Sequence, residues 1–394
     1  MIWIVDLVIV LILLGALVSG LRSGFAATLG ALLGLAVGAA AAIWVLPHVS
    51  GAVEPPWRAP AVIGALLVLL LVGWSLGSSI GGLVRRGADR LHLRVVERVL
   101  GGALGLLVGL VVVSLGGSSL ASAGIAGISP AVASSHAMKT VERATPEPVG
   151  QTFAQLRQRV VGELPMPVIT SPPEGLDIPS GASTAAPVDL GDPALETAAQ
   201  SVARISGPTR GCGTISSGSG FVVQDDRIIT NAHVVAGVED PMVELPGESA
   251  REGKVVYFDP SDDIAVISAD VDAPPLKLTD TLPDGTSAAI QGYPHGGPFR
   301  SSTARVKASG QAEVHDSEDA APTDRDIYVL DADVQPGNSG GPLLSEDGGV
   351  AGLVFARGDS DGQTAYALTN AELLPVIAQL DTADEQVSTG ACSA

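Results

Sequence analysis

Four long apolar runs occupy the first third of the chain. They fall near residues 2–20, 25–47, 61–82 and 99–121. Each run is long enough to cross about 30 Å of hydrocarbon as a helix. Asp6 lies near the start of the first run, close enough to its end to reach interfacial water. The pattern predicts a four-helix transmembrane bundle over residues 1–121.

Arginines next to these runs predict how the bundle is oriented. The loop after the third run carries Arg85, Arg86, Arg90, Arg94 and Arg98. Basic residues are enriched in cytoplasmic loops, so this loop and the short one at Arg22 are assigned to the cytoplasm. Both ends of the bundle then lie outside, and so does the rest of the chain.

Small residues recur at helical spacing in two of the runs. The positions are Gly30, Gly34 and Gly38 in the second run and Gly101, Gly105 and Gly109 in the fourth. Stripes of this kind let helix backbones approach closely. We interpret them as packing within one bundle rather than as a contact between copies.

Residues 122–197 have a different pattern and are interpreted as a connector. Segments 129–143 and 150–163 can each form a short helix, the second with Phe153, Leu156 and Val160 on one face. Six prolines separated by small residues follow between 165 and 187. This composition is typical of an extended or disordered tether.

From about residue 198 the pattern changes to short β-branched segments broken by Gly, Pro and Asp turns. Examples lie at 219–223, 227–230, 254–257, 264–267 and 327–330. Segments of this length and spacing, without a long helical period, predict an all-β barrel or sandwich over residues 198–394.

The net charge of −20 lies entirely in this second half. Residues 1–195 hold 11 basic and 11 acidic side chains, whereas residues 196–394 hold 11 basic and 31 acidic ones. An acidic surface disfavours nucleic acid and anionic lipid as partners of this half. We therefore predict no nucleic-acid binding.

Three separated motifs carry candidate chemistry. Ser339 lies in the glycine-rich stretch 335–342 (QPGNSGGP), His233 in 230–235 (TNAHVV), and Asp263 in 262–266 (DDIAV). A serine hydroxyl becomes a good nucleophile only when a base takes its proton. The order His, Asp, Ser is that of chymotrypsin-type enzymes and differs from subtilisins and α/β-hydrolases. No Cys/His cluster has metal-ligand spacing and no nucleotide-binding glycine pattern occurs, so no cofactor is predicted.

These motifs resemble those of the trypsin-like serine proteases, especially the bacterial HtrA-type branch. The matching segments are 218–223, 230–235, 263–266, 292–294 and 337–342, in the family's order. The resemblance implies a double β-barrel of the chymotrypsin type. The apolar runs resemble the CvpA (colicin V production) membrane family, and the combination is similar to actinobacterial acid-resistance proteases.

The same resemblance implies a role for each site residue. Ser339 is the expected nucleophile, His233 the base and later the acid, and Asp263 the group that orients the imidazole. The backbone N–H groups of Gly337 and Ser339 are the expected oxyanion hole. Asp262 is the alternative acid, but the family pattern favours the residue directly before the strand. His295, like His315, is interpreted as a solvated loop histidine.

Two further positions bear on activation. Asn338 stands where digestive proteases have an aspartate, so we expect no activation by an ion pair with a freed N-terminus. Cys212 and Cys392 are the two cysteines and lie on the predicted oxidising side, which predicts a disulfide. The resemblance favours a redox-sensitive brace over a purely structural clip.

The specificity pocket stays open at this level. Asp333, within 333–335, favours a basic residue if it faces the pocket floor, whereas the HtrA-type pattern implies a small or medium apolar preference beside 353–356.

The leading hypothesis is a multi-pass protein of the cell (inner) membrane. Its serine endopeptidase domain would act on extracytoplasmic proteins, cell-wall hydrolases among the candidates. The family resemblance implies a role in acid and oxidative stress, and the tether is a candidate self-cleavage site. The alternatives are a peptide-binding scaffold without cleavage and a bundle with its own transport or sensing function.

Overall fold

A computed structural model describes most of the chain. The residues outside its description are 1, 53–54, 91–93, 122–124, 126, 146–147, 153, 156–165, 171–172, 174, 177, 179–185, 211–213, 315–322, 360–362 and 393–394. The chain divides into two compact units, residues 6–114 and residues 1–5 together with 115–394. The predicted connector therefore belongs to the same unit as the β-rich part.

Four long helices form the N-terminal region. They are α1 (Ile2–Ser23), α2 (Phe25–Ala52), α3 (Pro55–Arg90) and α4 (Arg94–Ala121). Among the described residues, three helical segments are long and apolar enough to cross a membrane: Ile2–Ser23, Phe25–Ala42 and Arg94–Ala121. The third predicted span corresponds to α3, whose described apolar stretch is the shorter Val68–Val84. The count of four crossings therefore stays a prediction.

The glycine stripes lie where helix backbones meet inside this unit. A Cβ atom on Gly34 would collide with the carbonyl oxygen of Gly73 on α3. On α4, a Cβ on Gly101 would lie 2.5 Å from the carbonyl oxygen of Gly20 on α1. These approaches exclude any side chain, so both stripes pack helices of the same bundle against each other.

Helix α2 begins at a buried carboxylate. Glu97 of α4 accepts hydrogen bonds from the backbone N–H groups of Phe25, at 2.8 Å, and Ala26, at 3.0 Å. The first N–H groups of a helix lack partners within the helix, and an acceptor there also complements the helix dipole.

The C-terminal unit contains fourteen described strands in two seven-stranded sheets. The strands are β1 (Val168–Ile169), β2 (Val202–Pro208), β3 (Ile215–Gln224), β4 (Arg227–Thr230), β5 (Met242–Glu244), β6 (Arg251–Glu252), β7 (Lys254–Asp259), β8 (Ile264–Ser268), β9 (Ser287–Gly292), β10 (Arg300–Val314), β11 (Thr323–Asp331), β12 (Pro342–Leu344), β13 (Val350–Gly358) and β14 (Thr364–Thr369). The first sheet runs β6-β5-β2-β3-β4-β8-β7, and the second β1-β13-β12-β9-β10-β11-β14.

The second sheet closes on itself. Strand β13 pairs with β14 as well as with β12, so six strands form a ring and β1 is added to it in parallel. Among the described pairings the first sheet stays open. Apolar side chains fill both sheets: Phe221 and Phe355 are completely buried in a shared core, as the strand pattern predicts. The all-β class is confirmed, and the complete double barrel stays a prediction.

Five short helices of the C-terminal unit lie in stretches that the structure describes without a gap. They are α5 (Ile128–Ala133), α6 (His136–Ala144), α7 (Pro193–Ala199), α8 (Ala232–Val235) and α9 (Asn370–Ile377). The single helix predicted at 129–143 is therefore two helices. The break comes at Ser135, whose side chain accepts a hydrogen bond from Met138 N at 3.1 Å and so caps α6. The helix predicted at 150–163 lies largely outside the described residues.

The described part of the proline-rich segment contains the short strand β1 and contacts the β-rich core. Met166 and Ile169 each keep 3% of their surface exposed, and Val188 keeps 6%. Apolar side chains spaced between the prolines supply this contact, which composition alone does not reveal.

Candidate active site

His233 lies on a single helical turn directly after strand β4. Its ring Nδ1 is 2.8 Å from Asp263 Oδ2 and 3.0 Å from Oδ1. The backbone N–H of His233 also donates to Asp263 Oδ1 at 3.0 Å. Nδ1 therefore faces a carboxylate acceptor. A proton held on Nδ1 leaves Nε2 as the basic atom of the ring.

Asp263 is held in this position by its own backbone. Its φ of 55° lies in the left-handed region, where aspartate is one of the few tolerated side chains. The side chain of Asn231, two residues before the histidine, donates to the carbonyl oxygen of Asp263 at 2.9 Å. The carboxylate is 5% exposed, so water competes little for it.

Asp262, the alternative acid, belongs to a different cluster. Its backbone N–H donates to Asp259 Oδ1 at 3.3 Å. Burial, and then the nearby Asp259 carboxylate, raise the pKa of Asp262 above its usual value. The adjacent aspartates therefore differ in partner, and Asp263 is the one that faces the imidazole.

Ser339 lies on the turn that leads into β12. Gly340 N donates to the carbonyl oxygen of Val354 at 2.8 Å, which ties the turn to strand β13. The carbonyl oxygen of Ser339 accepts from Ser219 N on β3 at 2.8 Å. A Cβ on Gly218 would touch both Val234, next to the histidine, and the Ser339 carbonyl oxygen. The serine and histidine turns thus meet at Gly218.

Two atoms at this meeting point lack partners. His233 Nε2 and Ser339 Oγ are both buried, and within the described part of the chain neither has a hydrogen-bond partner. Buried polar atoms are normally paired, and an unpaired one calls for an explanation, of which a catalytic role is one. A proton transfer between a serine and a histidine would take place between two atoms of these kinds. Such hydrogen bonds are often long without substrate and shorten when it binds.

The backbone at Gly337 is oriented by a neighbouring loop. His295 N donates to the carbonyl oxygen of Pro336 at 2.5 Å. Because a trans peptide places C=O and N–H on opposite sides, the N–H of Gly337 points away from His295. Gly337 has a φ of 96°, a conformation that glycine adopts without steric cost.

Asn338 closes the same turn locally. Its Oδ1 accepts from Gln335 N at 3.1 Å, and its side chain is almost fully buried. Activity without an ion pair from a freed N-terminus stays a prediction.

Two protein families and a solved structure match parts of this chain. A model described as a trypsin-like peptidase domain matches residues 218–353, and one described as colicin V production protein matches residues 5–146. The crystal structure of the Rv3671c protease from Mycobacterium tuberculosis in its active form is 33% identical. The match covers 58% of this chain and 100% of that one with a TM-score of 0.51. This chain belongs to the trypsin-like serine peptidase family.

Curated relatives agree with this assignment. Serine protease Rv3671c (MarP) of M. tuberculosis H37Rv is 35% identical over 209 residues, which is 52% of each chain. A probable periplasmic serine endoprotease DegP-like of Pseudomonas fulva is 32% identical over 189 residues, or 45% of this chain and 36% of that protein. The chain therefore spans about half the length of its first curated relatives.

The prediction for His295 was wrong about its surroundings. His295 is 7% exposed, has a φ of 54°, and lies in the 3₁₀ turn Pro294–Gly296 beside Gly337. Chain topology brings this turn under the serine loop, which local polarity does not reveal. The GYP motif at 292–294 was the available signal, since its proline is the first residue of the turn. His315 lies outside the described residues.

Arg204 is a second residue that sequence reasoning missed. It pairs with Glu244 at 2.7 and 3.1 Å and donates to the carbonyl oxygens of Gly296 and Gly297, each at 3.4 Å. Its guanidinium carbon lies 5.7 Å from the ring centre of Tyr293. Burial alone would lower the pKa of Arg204, but Glu244 and Glu142 raise it overall, so the side chain stays charged. Arg204 therefore braces the loop that supports the Gly337 turn.

The C-terminal tail packs beside the histidine turn. Gly237 N donates to the carbonyl oxygen of Thr389 at 3.2 Å, and Thr389 Oγ1 donates to the carbonyl oxygen of Val238 at 3.0 Å. Cys392 is disulfide-bonded and lies against Gly237. Its predicted partner, Cys212, lies outside the described residues.

Asp333 is exposed, and its carboxylate accepts a hydrogen bond from a neighbouring side chain. Gln335 Nε2 donates to Asp333 Oδ1 at 2.5 Å. A nearby cavity of about 410 Å³ is lined by basic and acidic side chains, including Arg300, Arg305 and Asp331. This arrangement does not decide between a basic and an apolar preference.

Proposed function

We propose that the protein is a membrane-tethered serine endopeptidase that cleaves extracytoplasmic proteins. The observation that carries this proposal is the His233–Asp263 contact at 2.8 Å together with the unpartnered His233 Nε2 and Ser339 Oγ. With Nδ1 held by the Asp263 carboxylate, His233 Nε2 is left to accept a proton from a neighbouring hydroxyl.

The chemistry follows from these positions. His233 Nε2 takes the proton of Ser339 as Oγ attacks the carbonyl carbon of the scissile peptide. The Asp263 carboxylate stabilises the imidazolium that forms and does not itself take the proton. The N–H groups of Gly337 and Ser339 would bind the oxyanion, each such donor being worth roughly 3 kcal/mol of barrier.

Collapse of the tetrahedral intermediate completes the cycle. His233 gives its proton to the leaving amine, which departs as the C–N bond breaks and leaves an acyl ester on Ser339. Water then attacks the ester, again losing a proton to His233, and the carboxylic acid product leaves with the serine hydroxyl restored.

The proposed architecture assigns residues 1–121 to four membrane spans, 122–197 to a connector and 198–394 to a chymotrypsin-type double barrel. The arginine-rich loop between the third and fourth spans supports an inner-membrane protein with its peptidase domain on the extracytoplasmic side. An oxidising compartment also agrees with the disulfide-bonded Cys392.

A bond between Cys212 and Cys392 would brace the site. The tail that carries Cys392 is bonded to the loop directly after the His233 turn. Closing a loop of about 180 residues would stabilise the fold by roughly 5 kcal/mol in the chain-entropy model. A redox-dependent brace is the proposed regulatory use of this bond.

The proposed physiological role is envelope protection under acid and oxidative stress. Its support is the likeness to serine protease Rv3671c and to DegP-like periplasmic endoproteases. Protein substrates such as cell-wall hydrolases fit a domain with an excess of acidic side chains, which is unsuited to nucleic acid.

Labelling with a fluorophosphonate probe tests the activity. The full-length protein in detergent should be labelled on Ser339, and the Ser339→Ala variant should not. Incubation of both with an extracytoplasmic proteome, followed by sequencing of new N-termini, should give cleavages that depend on Ser339. A folded protein without labelling and without cleavage would instead be a peptide-binding scaffold.

A further inference from the structure

Strand β13 carries the serine turn on one of its two edges. Val354 N donates to the carbonyl oxygen of Gly341 at 2.9 Å, and its own carbonyl oxygen accepts from Gly340 N at 2.8 Å. Strand β14 takes the opposite edge, with Val354 facing Ala367 and Arg357 facing Ala365. The edge that starts at Ser339 is therefore the one not paired with β14.

The connector strand β1 lies farther along this same edge. The carbonyl oxygen of Pro167 accepts from Arg357 N at 3.1 Å, and that of Ile169 accepts from Asp359 N at 3.2 Å. The Ile169 side chain, 3% exposed, anchors β1 in the hydrophobic core. An element that precedes the β-rich part of the chain thus occupies the edge of a strand in the active-site barrel.

Only a short length of edge remains between the serine turn and β1. Phe355 and Ala356 are the two residues between Val354, bonded to the serine turn, and Arg357, bonded to β1. At about 3.3 Å per residue, the distance from Val354 to Arg357 along the strand is about 10 Å. An extended peptide commonly binds a protein by adding a strand to such an edge.

We propose that β1 limits the length of substrate that this peptidase can bind along β13. This inference rests on the proposed function. A substrate with its scissile carbonyl at Ser339 reaches β1 after about two to three residues. A longer peptide gains the backbone bonds of Arg357 and Asp359 only by displacing β1, so β1 acts as a specificity-determining element.

Nested peptides test this proposal. The probes are β-casein-derived peptides that share one mapped scissile bond and extend from it by two, four or six residues on either side. With the wild-type, full-length protein, kcat/KM should stop rising on one side once the peptide reaches β1. The variant Ile169→Asp places a carboxylate in the core and should release β1. For the peptide extended by six residues, this variant should raise kcat/KM about tenfold, which is the expected effect of two recovered backbone hydrogen bonds. For the peptide extended by two residues, kcat/KM should stay unchanged.

The control is Ile178→Asp, the same change at a partly buried connector residue that also packs on this core but lies outside β1. Hydrogen exchange at the Arg357 and Asp359 amides should accelerate in Ile169→Asp and not in Ile178→Asp. Ile169→Ala is the milder second variant if the aspartate prevents folding.

A binding experiment separates this inference from the catalytic proposal. In the Ser339→Ala background no turnover is needed, and the affinity for the six-residue peptide should still rise about tenfold when Ile169 is replaced. Hydrogen exchange at the Arg357 and Asp359 amides reports whether β1 has been displaced. If β1 is displaced and neither the affinity nor kcat/KM depends on peptide length, the inference is overturned. It is equally overturned if the wild type gains steadily from four to six residues on both sides.

Discussion

Replacement of Gly337 by alanine is the sharpest test of the oxyanion hole. A methyl carbon at this position would lie 2.7 Å from His295 N and 2.9 Å from Gly296 N, and closer still to the carbonyl oxygen of Tyr293. All three neighbours are backbone atoms of one braced loop, so they cannot rotate away as a side chain would. The Pro336–Gly337 peptide must turn instead.

The expected loss follows from the donor that this rotation removes. The hydrogen bond from His295 N to the Pro336 carbonyl oxygen holds the Gly337 N–H in its present direction. A turned peptide would withdraw one of the two proposed oxyanion donors, which should lower kcat by about 10²- to 10³-fold, or roughly 3–4 kcal/mol. KM should change little, because the donor acts mainly on the charge that develops in the transition state.

Gly247→Ala is the matched control. Gly247 has a φ of 81°, close to the 96° of Gly337, but a Cβ there meets no heavy atom within 4 Å. Both alanines carry the cost of a left-handed backbone, roughly 1–2 kcal/mol of stability, and the collision belongs to Gly337. Steady-state kinetics on a peptide ester and thermal unfolding of the two variants separate activity from stability. A folded Gly337→Ala protein with kcat within a few-fold of Gly247→Ala would refute this account of the hole.

Three other variants give distinct expected results. Asp263→Asn should lower kcat about 10⁴-fold, because an amide donor opposite Nδ1 favours the tautomer whose Nε2 cannot accept the serine proton. Asp262→Asn should leave kcat near wild type. Equal losses in the two variants would contradict the assignment of Asp263 as the acid. Burial and Asp259 raise the pKa of Asp262, so its ionised form is disfavoured in the folded state at neutral pH. Asp262→Asn should therefore raise Tm at pH 7, and the gain should shrink as the pH falls through this raised pKa and be absent below 3.8. A gain that persists below 3.8 would count against this cause. Arg204→Met should lower kcat about ten- to a hundredfold with little change in KM, because the loop under Gly337 loses its brace. Arg204→Lys should recover part of the lost kcat. A change confined to Tm would mean that Arg204 is only structural.

The local sequence determines the parts of the site whose conformation depends on near neighbours. The turn around Ser339 follows from its glycines, since Gly337 and Gly340 both have positive φ. The β-branched segments form strands whose successive side chains enter two different buried clusters, as Val266 and Ile267 do. The long apolar runs form helices that place their small residues at contacts, which the stripe at Gly34 already indicated.

The tertiary structure decides which distant groups meet. No local pattern states that His295 N reaches the Pro336 carbonyl oxygen, or that Arg204 holds the carbonyl oxygens of Gly296 and Gly297. The sequence of the proline-rich stretch likewise does not predict that β1 pairs with β13, because strand pairing uses backbone atoms that every residue carries. Residue type therefore predicted which side chains are candidates for the reaction, because each type has its own chemistry. Chain topology decided which backbone contacts orient these candidates, because such contacts join segments that are distant in the sequence.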